Sequence, residues 1–199
     1  MAEGRLTDTD IRLPLHRWLC DLHRACEDTS ILHELRIPRP SARIDVAVVN
    51  GELCGFEIKS DVDSLVRLSR QVRAFNSIFD RVCIVTTERH IDEAQRVIPP
   101  WWGIIVPDIG SDPNGFRSLR PTLENPGTDV EAMLHMLWHR ELLDILRNYG
   151  LGGFKRKRRQ DSIDALLHSV SEADIKTEIR RILKVRRGHT IHSSPSSSP

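Results

Sequence analysis

The chain lacks any run near the roughly eighteen apolar residues a membrane-crossing helix requires. Its opening, MAEGRLTDTDIR, has no apolar centre of the kind that marks a secretion signal. Cysteine is scarce: Cys20, Cys26, Cys54 and Cys83 form no Cys-x-x-Cys pair, and the histidines are scattered, which argues against a zinc site. Four thiols without a disulfide framework, with Cys54 and Cys83 inside apolar runs, fit a reducing compartment. No internal repeat is present. The expectation is a cytoplasmic protein, neither secreted nor embedded in a membrane.

Charge of one sign is also missing overall, since the net value is only +1. That balance hides an asymmetry. Residues 150–199 carry 11 Lys/Arg against 5 Asp/Glu, whereas residues 1–149 carry 18 against 23. A basic C-terminal part joined to an acidic body suggests that the former handles a polyanion. With 199 residues, 39% hydrophobic and 29% charged, the chain has the size and composition of one globular domain with appendages.

The informative segment is ARIDVAVVNGELCGFEIK, residues 42–59. Period-two alternation in Arg43–Val49 and Gly55–Lys59 predicts two half-buried strands, and Asn50-Gly51 between them predicts a hairpin. Facing positions in an antiparallel pair have a constant sum. A two-residue loop would set Asp45 opposite Phe56 and Ile44 opposite Glu57, mixing charge with core on both faces. A three-residue loop with Gly51 in the left-handed position, or a bulge, makes the sum even. Ile44, Val46, Val48, Phe56 and Ile58 then share one face, and Asp45, Glu57 and Lys59 the other.

Two carboxylates and a lysine on adjacent strands suit hydrolysis of a phosphodiester. Mg²⁺ takes hard oxygen ligands, often one or two carboxylates with waters and substrate phosphates. Asp45 and Glu57 fit that role, with the Ile58 carbonyl as a further ligand, and Lys59 would orient the attacking water or stabilise developing charge. The bland alternative is a solvated strand face with a cross-strand ion pair. Glu34, within ILHELRI, is a possible extra acidic ligand or else an exposed edge carboxylate; Asp10 is a weaker candidate.

The arrangement Asp45…Glu57-x-Lys59 resembles the PD-(D/E)XK nuclease superfamily. The helix that follows supports the likeness: Leu65, Leu68, Val72, Phe75 and Phe79 form one apolar stripe, and Gln71 begins Q-V-R-A-F, similar to the Gln-x-x-x-Tyr helix motif of some branches. More closely, EIKSD…QVRAFN…FDRVCIVTTERH and PPWWGIIV resemble a bacterial and phage-associated branch. The resemblance covers residues 8–150. It implies an α/β, restriction-endonuclease-like αβββαβ core with a mixed sheet, catalysis by Asp45, Glu57, Lys59 and Gln71, a Mg²⁺ or Mn²⁺ cofactor, a DNA partner and an expected capacity to dimerise. Two departures stand out: Ile44 occupies the place of the name-giving proline, and Phe75 that of the tyrosine. Gln71 is otherwise an ordinary exposed helix residue.

The remaining elements are predicted as a first helix from Asp8 to Arg24 with Pro14 near its start, where it is tolerable only within the first turn, a buried strand over Arg81–Thr86, a short helix over Ile91–Val97, a strand over Trp101–Val106, a turn at Asp112–Gly115 and an edge strand over Phe116–Leu119. Of Trp101 and Trp102, one is expected in the core and one at its rim. The division is a core over 1–120, a linker over 121–128, a basic helical extension over 129–192 and a disordered Ser/Pro tail over 193–199. Within the extension, one helix is predicted from Asp129 to Tyr149, an amphipathic helix after the basic cluster, and a final helix over Ser171–Val185. Lys155, Arg156, Lys157, Arg158 and Arg159 lie in a basic turn suited to nucleic-acid phosphates, or simply solvated. The leading expectation is a metal-dependent DNA nuclease. The alternative is a non-catalytic DNA-binding or protein-interaction module, and an RNA nuclease would use the same trio.

Overall fold

The computed structural model describes residues 5–26, 28–38, 41–108 and 115–186. The predicted turn at Asp112–Gly115, apart from its last residue, and the Ser/Pro segment 193–199 lie outside them. Six strands form one mixed sheet in chain order: β1 (Ser30–Ile37), β2 (Ala42–Val49), β3 (Leu53–Lys59), β4 (Arg81–Thr86), β5 (Gly103–Pro107) and β6 (Phe116–Arg120). The first three are antiparallel neighbours, β3, β4 and β5 run parallel, and β6 returns antiparallel. Parallel pairing needs crossovers, supplied by α2 (Leu68–Asn76) between β3 and β4 and α3 (Ile91–Val97) between β4 and β5. The architecture is therefore α/β with a mixed sheet.

The hairpin between β2 and β3 pairs Val46 with Phe56 and Val49 with Leu53, a sum of 102, leaving a three-residue loop. Gly51 carries φ of +127°, a backbone conformation open to glycine and strained for other residues. The even register expected from the alternation is thus present.

Both sheet faces are covered, which explains why the central strands are nearly continuous in apolar residues. On one face α1 (Asp8–Leu22) lays Ile11, Leu15 and Leu19 against Val46, Val48, Ile58 and Val85. Pro14 sits inside this helix, in its second turn, beyond the first turn in which its missing N–H would go unused anyway. The opposite face is buried under α2, α3 and the C-terminal helices α4 (Val130–Leu134), α5 (His139–Asn148), α6 (Arg159–Ser169) and α7 (Glu172–Val185). Trp102 is in the core and Trp101 partly buried beside it.

One expectation about β2 fails. Ile44 does not share the face of Val46 and Val48; its side chain lies by Gly55 and Phe79 on the α2 side. The alternation breaks at Asp45 because the neighbouring strand breaks with it. Glu34, opposite Asp45 in the β1–β2 register, has φ of +54°, and this pair alone is missing from an otherwise continuous ladder.

The helix predicted over Asp129–Tyr149 is two helices. Arg159 donates from Nη2 to the carbonyls of Leu134 (3.2 Å) and His135 (2.8 Å) at the end of α4. The Glu141 carboxylate accepts the Trp138 N–H at 2.6 Å at the start of α5. Satisfying both ends in this way permits the break. The stretch over 121–128 is tied to the end of α2 and to the loops before β4 and β5 rather than free. Asn125 donates from its side chain to the carbonyls of Asn76 and Phe79 at 2.7 and 2.8 Å, and Leu123 N–H to that of Trp101 at 2.9 Å.

Candidate active site

Beyond Val46 the β2–β3 backbone ladder stops, and the strands are joined instead by a side chain: the Asp45 carboxylate accepts the Ile58 N–H at 2.9 Å through Oδ2. Here a cleft of about 490 Å³ opens, lined by Asp45, Glu57, Ile58 and Lys59 from the strands, Glu34 from β1, and Arg67, Arg70 and Gln71 from the start of α2. Asp45, Glu57, Ile58, Lys59, Gln71 and Glu34 thus share one cleft. They meet because β3 delivers Glu57 and Lys59 to the α2 side of the sheet, and α2 begins immediately above them.

Glu57 and Lys59 are only 2% and 4% exposed. Lys59 Nζ donates to Glu57 Oε1 at 2.7 Å, and the Gln71 side-chain amide donates to the same oxygen. The second oxygen, Oε2, is buried without a partner. Burial drives the Glu57 carboxyl up to about 8, with the nearby Asp45 charge adding to the rise; Lys59 and the Gln71 hydrogen bond offset only part of it. An unpartnered buried carboxylate oxygen beside a second carboxylate favours either a proton or a cation.

Asp45 is engaged differently. Its Oδ1 takes Arg12 Nη2 at 2.8 Å, while Arg12 also pairs with Asp8 and donates to the Asp45 carbonyl at 3.1 Å. Glu34 faces the cleft but pairs with Arg43 at 3.1 Å and is half exposed. Asp10 caps α1, accepting Thr7 N–H at 2.8 Å, and stays out of the cleft.

Sequence reasoning passed over Arg12, Asp63, Arg67 and Arg70, all of which line the cleft. Arg67, Arg70 and Gln71 stand at helical spacing on one stretch of α2, and that pattern was available as a signal. Arg12 had no comparable signal, since only packing of α1 brings it to Asp45.

Arg12 and the Ile58 N–H occupy the two Asp45 oxygens, so Oε2 of Glu57 is the oxygen of this carboxylate pair left without a partner. Asp45, Glu57 with its free Oε2, and the Ile58 backbone would hold a hard divalent cation, with water and phosphate oxygens completing the shell. Among the described residues no group of three or more His, Cys, Asp or Glu side chains is arranged to hold a metal ion.

The basic turn predicted to meet phosphates lies elsewhere, before α6. Lys155, Arg156, Lys157 and Arg158 are exposed, and Arg158 pairs with Asp161 at 3.1 Å. Arg159 is the exception, turned inward to cap α4. None of the five lines the cleft. Among the described residues, no helix is long and apolar enough to cross a membrane.

Comparison with known proteins gives three findings. A family model described as "Bacteriophage P4 protein cII" matches residues 2–193. "Protein cII" of Enterobacteria phage P4 is 28% identical over 186 residues, covering 94% of this chain and 69% of that protein. A solved structure of a protein of unknown function from Silicibacter pomeroyi is 16% identical with a TM-score of 0.40, covering 93% of this chain and 99% of that one.

Proposed function

The chain belongs to the bacteriophage P4 protein cII family, and we propose that this member is a divalent-metal-dependent nuclease acting on DNA. The observation that carries the proposal is the unpartnered, buried Oε2 of Glu57, set beside Asp45 and Lys59 in a cleft rimmed by arginines. The resemblance of Asp45…Glu57-x-Lys59 to the PD-(D/E)XK pattern supports the same reading. On this proposal β1–β4 with α1 and α2 form a restriction-endonuclease-like core.

Asp45, Glu57 and the Ile58 carbonyl would hold Mg²⁺ or Mn²⁺. When bound, the ion supplies Lewis acidity toward the phosphate and lowers the pKa of a nearby water. Lys59 Nζ, hydrogen-bonded to Glu57 Oε1, would stabilise the charge that develops on the scissile phosphate. Gln71 fixes Glu57 Oε1 and so aims Oε2. Arg67 and Arg70, both exposed, would hold the flanking phosphates. Phe75, where the helix motif has tyrosine, packs between Phe79 and Trp102 with ring centroids 5.9 and 6.0 Å away. Its loss of a hydroxyl is therefore a core adaptation.

A second reading, a DNA-binding module without catalysis, draws on the grip of Arg12 on Asp45 Oδ1, the oxygen a metal would take. The deciding test is incubation of linear, circular and branched DNA, and of RNA, with Mg²⁺ or Mn²⁺, beside Asp45→Asn and Lys59→Ala. We expect metal-dependent cleavage that falls at least about a hundredfold in both variants while melting temperatures stay comparable. No cleavage by the wild type on any of these substrates sinks the nuclease reading.

A further inference from the structure

The C-terminal helices carry a second polar groove that shares no residue with the cleft. It lies between α5 and α7, has a volume of about 710 Å³, and is lined by Trp138, Arg140, Arg147, Arg181 and Arg186, with Glu141 and Asp144 as its acids. Arg147 also lines a neighbouring groove, walled largely by Leu143, Leu146, Leu151 and Phe154 and ending at Lys155, so the two meet at that residue to make one strip. Arg140 and Arg147 stand seven residues apart on α5, two turns along one face. The strip thus leads from Trp138 to the basic turn at Lys155–Lys157.

Trp138 is 49% exposed, a large apolar ring among four arginines, of which Arg147 pairs with Asp144 at 3.0 Å, Arg181 with Glu178 at 2.7 Å and Arg186 with Glu141. Guanidinium groups lie over it, Arg140 at 4.3 Å and Arg186 at 4.7 Å from the ring centroid. The two arginines are held differently. Arg186 pairs with Glu141, donates to the Met136 carbonyl at 3.2 Å and is largely buried, so it is fixed. Arg140 is exposed, and among the described residues no carboxylate lies within ion-pair distance of it. Its guanidinium leaves the indole at little cost.

We propose that this strip grips single-stranded nucleic acid, with Trp138 as the stacking platform for a base. A base displaces Arg140 from the indole; the freed guanidinium then takes a phosphate beside that base, and Lys155 one farther along the strand. Stacking on an exposed aromatic within a basic groove is the means by which single strands are held without sequence preference. A duplex hides its base faces and gains only from the cations. An acidic peptide would use those cations but gain nothing from an aromatic face. The proposal deepens the nuclease reading by naming a strand-holding surface apart from the cleft, and it takes only the polymer class from that reading.

The test is fluorescence anisotropy of a labelled 20-mer of thymidylate and of a 20-base-pair duplex, in EDTA, with the full chain. Trp138→Leu is expected to weaken single-strand binding about tenfold or more and duplex binding less than twofold, while Trp138→Phe retains most of it. Because Trp138 opens α5, Arg140→Ala serves as an independent variant; it should weaken the single strand and lower the salt slope by about 0.7. Equal losses for strand and duplex in Trp138→Leu overturn the stacking platform. Full competition by polyglutamate with no effect of Trp138→Phe or Trp138→Leu overturns it in favour of an acidic protein partner. Binding that persists in a protein without cleavage activity removes the nuclease reading and leaves this one standing. Cleavage without any Trp138-dependent binding does the reverse.

Discussion

Glu57 concentrates the chemistry of the cleft in one carboxyl group. Its folded value of about 8 lies above its ordinary 4.5, so the fold favours the protonated form. The native state keeps a proton that the unfolded chain releases as pH rises above 4.5. Stability is therefore greatest below that point, falls as pH rises through the window, and levels off beyond about 8. We expect the melting temperature of the metal-free protein to drop between pH 5 and 8, and Glu57→Gln, which holds a permanent neutral isostere, to flatten that slope. Added Mg²⁺ should restore the wild type more at pH 8 than at pH 6, because binding must first expel the proton. A wild-type pH profile parallel to that of the glutamine variant would show that Glu57 is not held protonated.

At the scale of the element, the interruption of β1 at Glu34 sets the mouth of the cleft. A non-glycine residue at φ of +54° is unusual, and within a strand it breaks both pairing and alternation. The effect crosses to β2, where Ile44 turns toward Phe79 and frees Asp45 to reach the Ile58 N–H. Backbone strain at such a point costs on the order of 1 kcal/mol, and glycine relieves it. Glu34→Gly should therefore leave stability unchanged or raise it by up to about 1 kcal/mol in urea unfolding, since the exposed Arg43 pair contributes little. A clear loss of stability would show that the Glu34 side chain anchors the strand.

For the molecule as a whole, the helices after residue 129 belong to the sheet's own core. Met133, Leu142, Ile145, Ile163, Ile175 and Ile179 are buried in the cluster that holds Leu53, Phe75, Ile84 and Trp102. Arg180 on α7 pairs with Asp80 at 3.0 Å, and Asp80 also accepts the Leu53 N–H at 2.7 Å, tying α7 to the root of the hairpin. The full chain should unfold in one transition, with tryptophan fluorescence and far-ultraviolet dichroism coincident. Truncation after residue 128 uncovers that face and should yield no cooperatively folded protein. A truncated chain that melts cooperatively at a similar temperature would show that the two parts are independent.

The trio was legible because strand chemistry is local. Period-two alternation with Asn50-Gly51 specifies the register, and one slip would have placed charge in the core. The order of strands and crossover helices was legible for the same reason, since apolar periodicity reports which faces are covered. The basic turn was visible as composition, although Arg159 proved to cap a helix. Ile44 was misread because its facing depends on a break in the neighbouring strand, which no property of β2 announces. The pairing of Arg12 with Asp45 spans 33 residues, and the groove at Trp138 needs α5 and α7 to meet. The sequence by itself determined the strands of the hairpin and their register and brought two carboxylates and a lysine to one strand pair, because those follow from neighbours along the chain. Only the tertiary structure decided which oxygen of Glu57 stays unpartnered, which cation holds Asp45 and where an exposed tryptophan meets arginines, because these depend on elements far apart in sequence packing together.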